Sequence, residues 1–189
     1  MSSILLISPS VEPLSLEEAK TFLRVEHSDD DQLIAALIIG ARMHVEAQAQ
    51  TALISQTWRV SFNCWPHHGR IVVRPGPLKA LGAARIYDAH GQAQTVEPRA
   101  FVADLAASAL AFLPWTMPLP GRIAAGIELD VVIGFGEDPA DVPEPLRQAI
   151  RLLVAHWYEN RGLVNGGGQT TALPSTVAAL ISAYRALSL

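Results

Sequence analysis

The hydrophobic period of this chain changes twice, and that change limits the fold more than any single motif does. Trp58, Val60, Phe62 and Cys64 alternate with Arg59, Ser61 and Asn63. Ile127, Leu129, Val131, Ile133 and Phe135 alternate in the same way with Glu128, Asp130 and Val132. A period of two is that of a strand with one buried face. On either side of this region the apolar residues recur every three or four positions, the period of a helix packed on one side. The order of helices, a β-rich middle and helices again predicts an α+β chain: a helical bundle with a central antiparallel β-rich insertion.

The helices have readable ends. Ser15 and Glu18 form a capping box for a short helix that should close near Val25. Asp29, Asp30 and Asp31 open a second helix, to about Gln50, and suit the positive end of its dipole. Its packing stripe is Leu33, Ile34, Leu37, Ile38, Ala41 and Val45. A third helix begins near Val142, since Pro143 and Pro145 are tolerated only in a first turn, whose N–H groups lack intrahelical acceptors. Leu146, Ala149, Ile150, Leu153 and Trp157 then make one apolar stripe, with Arg147, Arg151 and Glu159 off it.

Shorter strands are expected at Ile71 to Val73 and Ala83 to Tyr87, the latter closed by the turn Asp88-Ala89-His90-Gly91, with weaker candidates at Phe101 to Ala103 and Ala111 to Leu113. The N-terminus reads as an extended arm. With 189 residues, the expected organisation is one domain over 1–189: N-terminal helices (1–50), a β-rich middle (51–136), a core helix (141–161), a flexible glycine-rich link (162–173) and a C-terminal helix with its tail (174–189).

Composition then narrows the function. Half of the residues are hydrophobic and only 17% are charged, which suggests a surface partly covered by other subunits. No apolar run reaches the roughly 20 residues of a membrane span, and no signal peptide opens the chain, so no membrane association is expected and the protein should be intracellular. One cysteine, Cys64, leaves no disulfide framework and no cysteine-rich zinc site. The first 50 residues hold eight acids against three bases and the remainder ten against eleven, which argues against a nucleic-acid reader that grips phosphates but not against a surface past which DNA slides.

The motifs that imitate chemistry have plainer explanations. His67 and His68 beside Cys64 lack a second ligand cluster and read as loop residues. His156, Glu159 and Asn160 lack the second histidine of a helical zinc motif. Gly166-Gly167-Gly168 is not followed by Lys-Ser or Lys-Thr, and is a linker, not a phosphate cradle. Asp29 to Asp31 lack the spacing of a calcium loop and read as helix caps. Glu128 and Asp130 share a strand face that is solvated or faces another subunit. The four tryptophans, Trp58, Trp65, Trp115 and Trp157, read as core and interface anchors. Neither a catalytic residue nor a cofactor or metal site is assigned.

Six blocks follow one another in a recognisable order. They are Leu16-Glu17-Glu18-Ala19-Lys20-Thr21-Phe22-Leu23-Arg24-Val25; Asp29 to Asp31 with Leu33-Ile34; Ser55-Gln56-Thr57-Trp58; Pro75-Gly76-Pro77-Leu78; Gly134-Phe135-Gly136 with Val142-Pro143; and Ala155-His156-Trp157-Tyr158-Glu159-Asn160-Arg161. Together they resemble the head-tail connector (adaptor) proteins of long-tailed phages and phage-derived gene transfer agents. Where that family usually has a Thr-Gly-Arg-like step before the Gln-Thr-Trp strand, this chain reads Ala49-Gln50-Thr51-Ala52-Leu53.

The resemblance implies a structural protein and not an enzyme. It would form a ring, a dodecamer in the particle, under the portal protein, prolong the DNA channel and carry a stopper, neck or tail-terminator protein. DNA would pass through the lumen without sequence-specific binding. The neck of a virion or virion-like particle, assembled in the bacterial cytoplasm, would be its location. Tyr184, Arg185, Ala186, Leu187, Ser188 and Leu189 would dock on the portal; Glu17, Glu18, Asp29, Asp30 and Asp31 would line the bore, where acids repel phosphate. Two other functions are a stopper or tail-completion protein of the same particle, and a small hydrolase using His156, Glu159 and Glu128.

Overall fold

The structure is a computed structural model that describes residues 2–160 and 175–185. The chain divides into two compact units, Met1–Ser10 with Ser55–Phe135 and Val11–Ile54 with Gly136–Leu189. The first holds the strands and the second the helices, so the α+β class is observed.

The strand unit contains a five-stranded antiparallel sheet ordered β1 (Ser2–Ile7), β2 (Gln56–Phe62), β8 (Ile127–Ile133), β4 (Leu78–Tyr87) and β5 (Ala93–Thr95). A second sheet, of three strands, is ordered β3 (Arg70–Val72), β7 (Ala109–Phe112) and β6 (Phe101–Asp104). The alternation of β2 and β8 does what it predicts: Val60, Ile127, Leu129, Val131 and Ile133 are buried on one face. Burial of each such aliphatic side chain contributes about 1.5–3 kcal/mol. The other face carries Arg59 opposite Asp130 and Ser61 opposite Glu128.

Several expectations shift. The N-terminal arm is a paired edge strand, β1, which enters β2 with Leu5 opposite Trp58. β4 starts at Leu78, five residues early, because bulges near Lys79 and Gly82 break its alternation and hide the strand from a period-two reading. β5 was not expected; it is short and exposed, so it has no apolar signature. β8 stops at Ile133, where Gly134 turns with φ +125°.

In the helical unit α1 (Leu16–Leu23) and α2 (Asp31–Ala49) are followed, after the strand unit, by α3 (Glu144–Glu159) and α4 (Ser175–Ser182). α3 is the centre: it packs on α1, α2 and α4. Leu146, Ala149, Ile150 and Leu153 of α3 and Ile34, Ile38, Ala41 and Val45 of α2 are buried, and the two helices pack on each other. Trp157 is half-buried, and a Cβ on Gly40 would stand 3.6 Å from its ring.

The helix ends correct the expected bounds. The capping box of Ser15 and Glu18 is present, but α1 stops at Leu23, where Arg24 turns left-handed with φ +58°. Pro143 is the N-cap of α3 instead of a first-turn residue, because a 3-10 turn at Pro139–Asp141 precedes it. The core helix therefore covers Glu144–Glu159. A Cβ on Gly136 would stand 1.8 Å from the Asp141 carboxylate, so that turn closes only over glycine. Within the C-terminal segment expected to hold a helix and its tail, α4 ends at Ser182. The glycine-rich link, 162–173, lies outside the described residues.

Candidate functional site

The acids named from sequence fall at the α1–α2 corner, and three of the five are committed to partners inside the helical unit. Glu18 accepts the Ser15 backbone N–H at 2.9 Å and stands 2.6 Å from Arg147 Nη2. That backbone hydrogen bond, with help from the Ser15 hydroxyl and Arg147, holds its carboxyl below the usual glutamate range. Arg147 also donates to the Pro13 carbonyl at 3.0 Å, and Arg151 pairs with Glu144. The arginines off the α3 stripe thus tie α1 and the chain before it to α3.

Asp31 binds Lys20 at 2.6 Å, and Asp30 accepts the Tyr158 hydroxyl. Helix capping is not what these aspartates do: Asp30 stands at the N-cap of α2 without a side-chain capping bond. Tertiary partners have taken the carboxylates that a local reading gives to the helix end. Glu17 and Asp29 are exposed. Asp29 stands 4.0 Å from His27.

The docking candidates lie at the end of α4. Val177 and Ile181 are buried, Tyr184 is half-buried and Arg185 is exposed. Arg185 Nε donates to the Gln48 carbonyl of α2 at 3.2 Å. A cavity of about 70 Å³ under this helix is lined by His44, Gln48, Val177, Ala178, Ile181 and Arg185. α4 is therefore seated by a short apolar row and a charge-assisted hydrogen bond. Ala186, Leu187, Ser188 and Leu189 lie outside the described residues.

In the strand unit Glu128 and Asp130 are neither bare nor paired with each other. Asp130 takes Arg59 Nε at 2.7 Å and Arg85 Nη1 at 2.7 Å, joining β2, β8 and β4. Glu128 accepts the Tyr87 hydroxyl at 2.8 Å and stands 3.4 Å from Arg59. The hydrogen bond from Arg59, then that from Arg85, keeps the Asp130 carboxyl below its ordinary range, and the bond to Glu128 raises the Tyr87 phenol. The strand alternation reveals this polar face but not its partners, which lie 71 and 45 residues away in sequence.

Cys64, His67 and His68 are exposed, and among the described residues no group of three or more His, Cys, Asp and Glu side chains can hold a metal ion. No helix among those residues is long and apolar enough to cross a membrane. His156 has its Nε2 buried without a partner, and Asn160 donates to its carbonyl at 2.6 Å. The tryptophans divide. Trp65 is buried against Phe101 and Phe112, with ring centroids 5.2 to 5.9 Å apart, whereas Trp115 is 80% exposed.

Exposed apolar surface, the signal that sequence patterning missed, concentrates in two places of the strand unit. The edge strand β1 leaves Ile4, Leu5, Leu6 and Ile7 at 40–63% exposure, and the loop after β7 leaves Trp115, Leu119 and Ile123 at 80–95%. Such surface is characteristic of chains that are covered in an assembly.

Residues 122–185 match the family model described as Phage gp6-like head-tail connector protein. That span contains β8, α3 and α4. No curated protein matches the chain. Among solved structures, a chain in "Neck of empty GTA particle computed with C6 symmetry" is 25% identical with a TM-score of 0.82, and covers 100% of this chain and 97% of its own. A chain in "Virion of native gene transfer agent (GTA) particle" gives the same values. A chain in "Neck of native GTA particle computed with C12 symmetry" is 26% identical with a TM-score of 0.78 at the same coverage.

Proposed function

We propose that the chain is a member of the head-tail connector family and the adaptor subunit of a particle neck, twelve copies of which close a ring beneath the portal. It is a structural protein, not an enzyme. The observation that carries the reading is the full-length match to a neck structure computed with twelvefold symmetry. In this role the chain acts as one connector domain over residues 1–189. It prolongs the DNA channel and offers a platform to the next neck, stopper or tail-terminator protein. Assembly takes place in the bacterial cytoplasm.

The residues at the end of the chain, Tyr184 to Leu189, dock on the portal. The short helix α4, seated on α2 and α3, can exchange part of that seat for a portal contact, and the ordering that this requires lowers the affinity of each copy. Twelve copies acting together recover it. Of the five lining candidates, Glu17 and Asp29 are exposed and present charge to passing DNA, whereas Glu18, Asp30 and Asp31 are held by Arg147, Tyr158 and Lys20. Acids in a bore repel phosphate and keep the strand sliding.

Native mass measurement of the protein mixed with purified portal tests the assignment. A connector gives a complex of two stacked rings; a stopper or tail-completion protein leaves the portal unoccupied. Deleting residues 174–189 should leave a folded chain that no longer joins the portal, and normal tail attachment by that truncation refutes the docking role.

A further inference from the structure

The two exposed apolar surfaces of the strand unit are unlike each other. A rotationally symmetric ring needs one patch facing left and a different one facing right. Resting on the ring reading above, we infer that the loop after β7 of one copy docks on the edge strand β1 of the next.

The loop is built as a fixed projection. Trp65 Nε1 donates to the Pro118 carbonyl at 2.8 Å, Gly121 N–H to the Tyr87 carbonyl at 2.8 Å, and Ala125 N–H to Asn63 Oδ1 at 3.0 Å. A Cβ on Gly121 would stand 2.2 Å from the Ala89 backbone nitrogen, so the loop is laid tightly across the β4 turn. Pro114, Pro118 and Pro120 stiffen it further. Met117 is buried as its base, while Trp115, Leu119 and Ile123 are left outward at 80, 87 and 95% exposure. Apolar side chains held this rigidly lose little freedom on binding.

β1 is the complementary surface. It is the outer strand of its sheet, so one row of its backbone donors and acceptors faces away from β2. Edge strands that stay free in solution carry charge or proline, yet Ser2–Ile7 has neither and exposes Ile4, Leu5, Leu6 and Ile7. Charge matching selects the occupant. The only charged residue of the loop is Arg122, whose guanidinium lies 4.8 Å from the centre of the Tyr87 ring. Apart from Arg122, which lies over the Tyr87 ring, neither surface carries a charged side chain, so each can cover the other with a single cation to keep solvated.

The experiment uses the full chain with two exposed pairs replaced: Ile4→Lys with Ile7→Lys in one protein, Leu119→Lys with Ile123→Lys in another. Circular dichroism and urea midpoints close to the unsubstituted chain establish that both fold. Sedimentation equilibrium up to about 1 mM, the range in which contacts worth about 4 kcal/mol become visible, reads assembly. The unsubstituted chain should form species beyond a dimer. Each variant alone should be monomeric. An equal mixture of the two should give a dimer and nothing larger, since one intact loop then meets one intact strand and both outer surfaces are blocked.

Variants that assemble like the unsubstituted chain, a mixture that stays monomeric, or an unsubstituted chain that is monomeric throughout each overturn the proposal. Adding purified portal separates this failure from that of the ring reading. Rings on the portal from both variants place the interface elsewhere and leave the ring standing, whereas no ring from the unsubstituted chain removes the reading beneath both.

Discussion

Asp130 shows how much a strand pattern leaves unsaid. Its carboxylate, 8% exposed, is shared by Arg59 and Arg85 and so fastens three strands at one point. Asp130→Asn keeps the shape but withdraws the charge from two arginines. The expected cost is about 1–3 kcal/mol, read from the urea midpoint of unfolding. The pH dependence has a fixed sign. Because the folded carboxyl lies below its unfolded value, its contribution is complete above that value, about pH 4, and is lost as the pH falls through the folded one. The Asp130→Asn protein should therefore lose less stability than the parent between pH 5 and about pH 2, checked by urea titrations across that range. At Gly136 the effect is steric. Gly136→Ala forces a methyl group onto the Asp141 carboxylate, and a destabilisation of about 1–3 kcal/mol should appear as a lowered thermal midpoint.

Among the elements, α3 carries the helical unit. Leu153 is wholly buried where α3 meets its neighbours, so Leu153→Ala should cost about 2–5 kcal/mol, the largest effect of any single truncation considered. Chemical denaturation checks it. This helix was also the most legible in sequence, because its stripe is regular and Pro143 marks its start. The capping box of α1 was legible for the same reason: Ser15 and Glu18 satisfy each other within one turn. What escaped a local reading was set by distant partners. Asp30 looks like a cap until Tyr158, 128 residues on, takes its carboxylate. Apolar Ser2–Ile7 reads as an extended arm whose partner, β2, no local pattern names, and β4 conceals its first half behind two bulges. The candidate surfaces divide likewise. The chain's low charge announced that something covers it, but only the backbone reveals that Leu119 and Ile123 are held outward.

At the scale of the molecule, neither unit is one stretch of chain. The backbone passes from one to the other at Ser10/Val11, Ile54/Ser55 and Phe135/Gly136. A fragment of residues 55–135 lacks β1 and leaves the Trp58 and Val60 edge of β2 bare. It should elute as aggregates in size-exclusion chromatography, and a synthetic peptide of residues 1–10, by pairing with β2, should reduce that aggregation. The same threefold passage bears on damage. A protease that nicks the backbone at any one of these passages makes two polypeptides, yet the other two passages still join the units, and the pieces stay together through the packing within each unit. That is redundancy written into the path of the polypeptide.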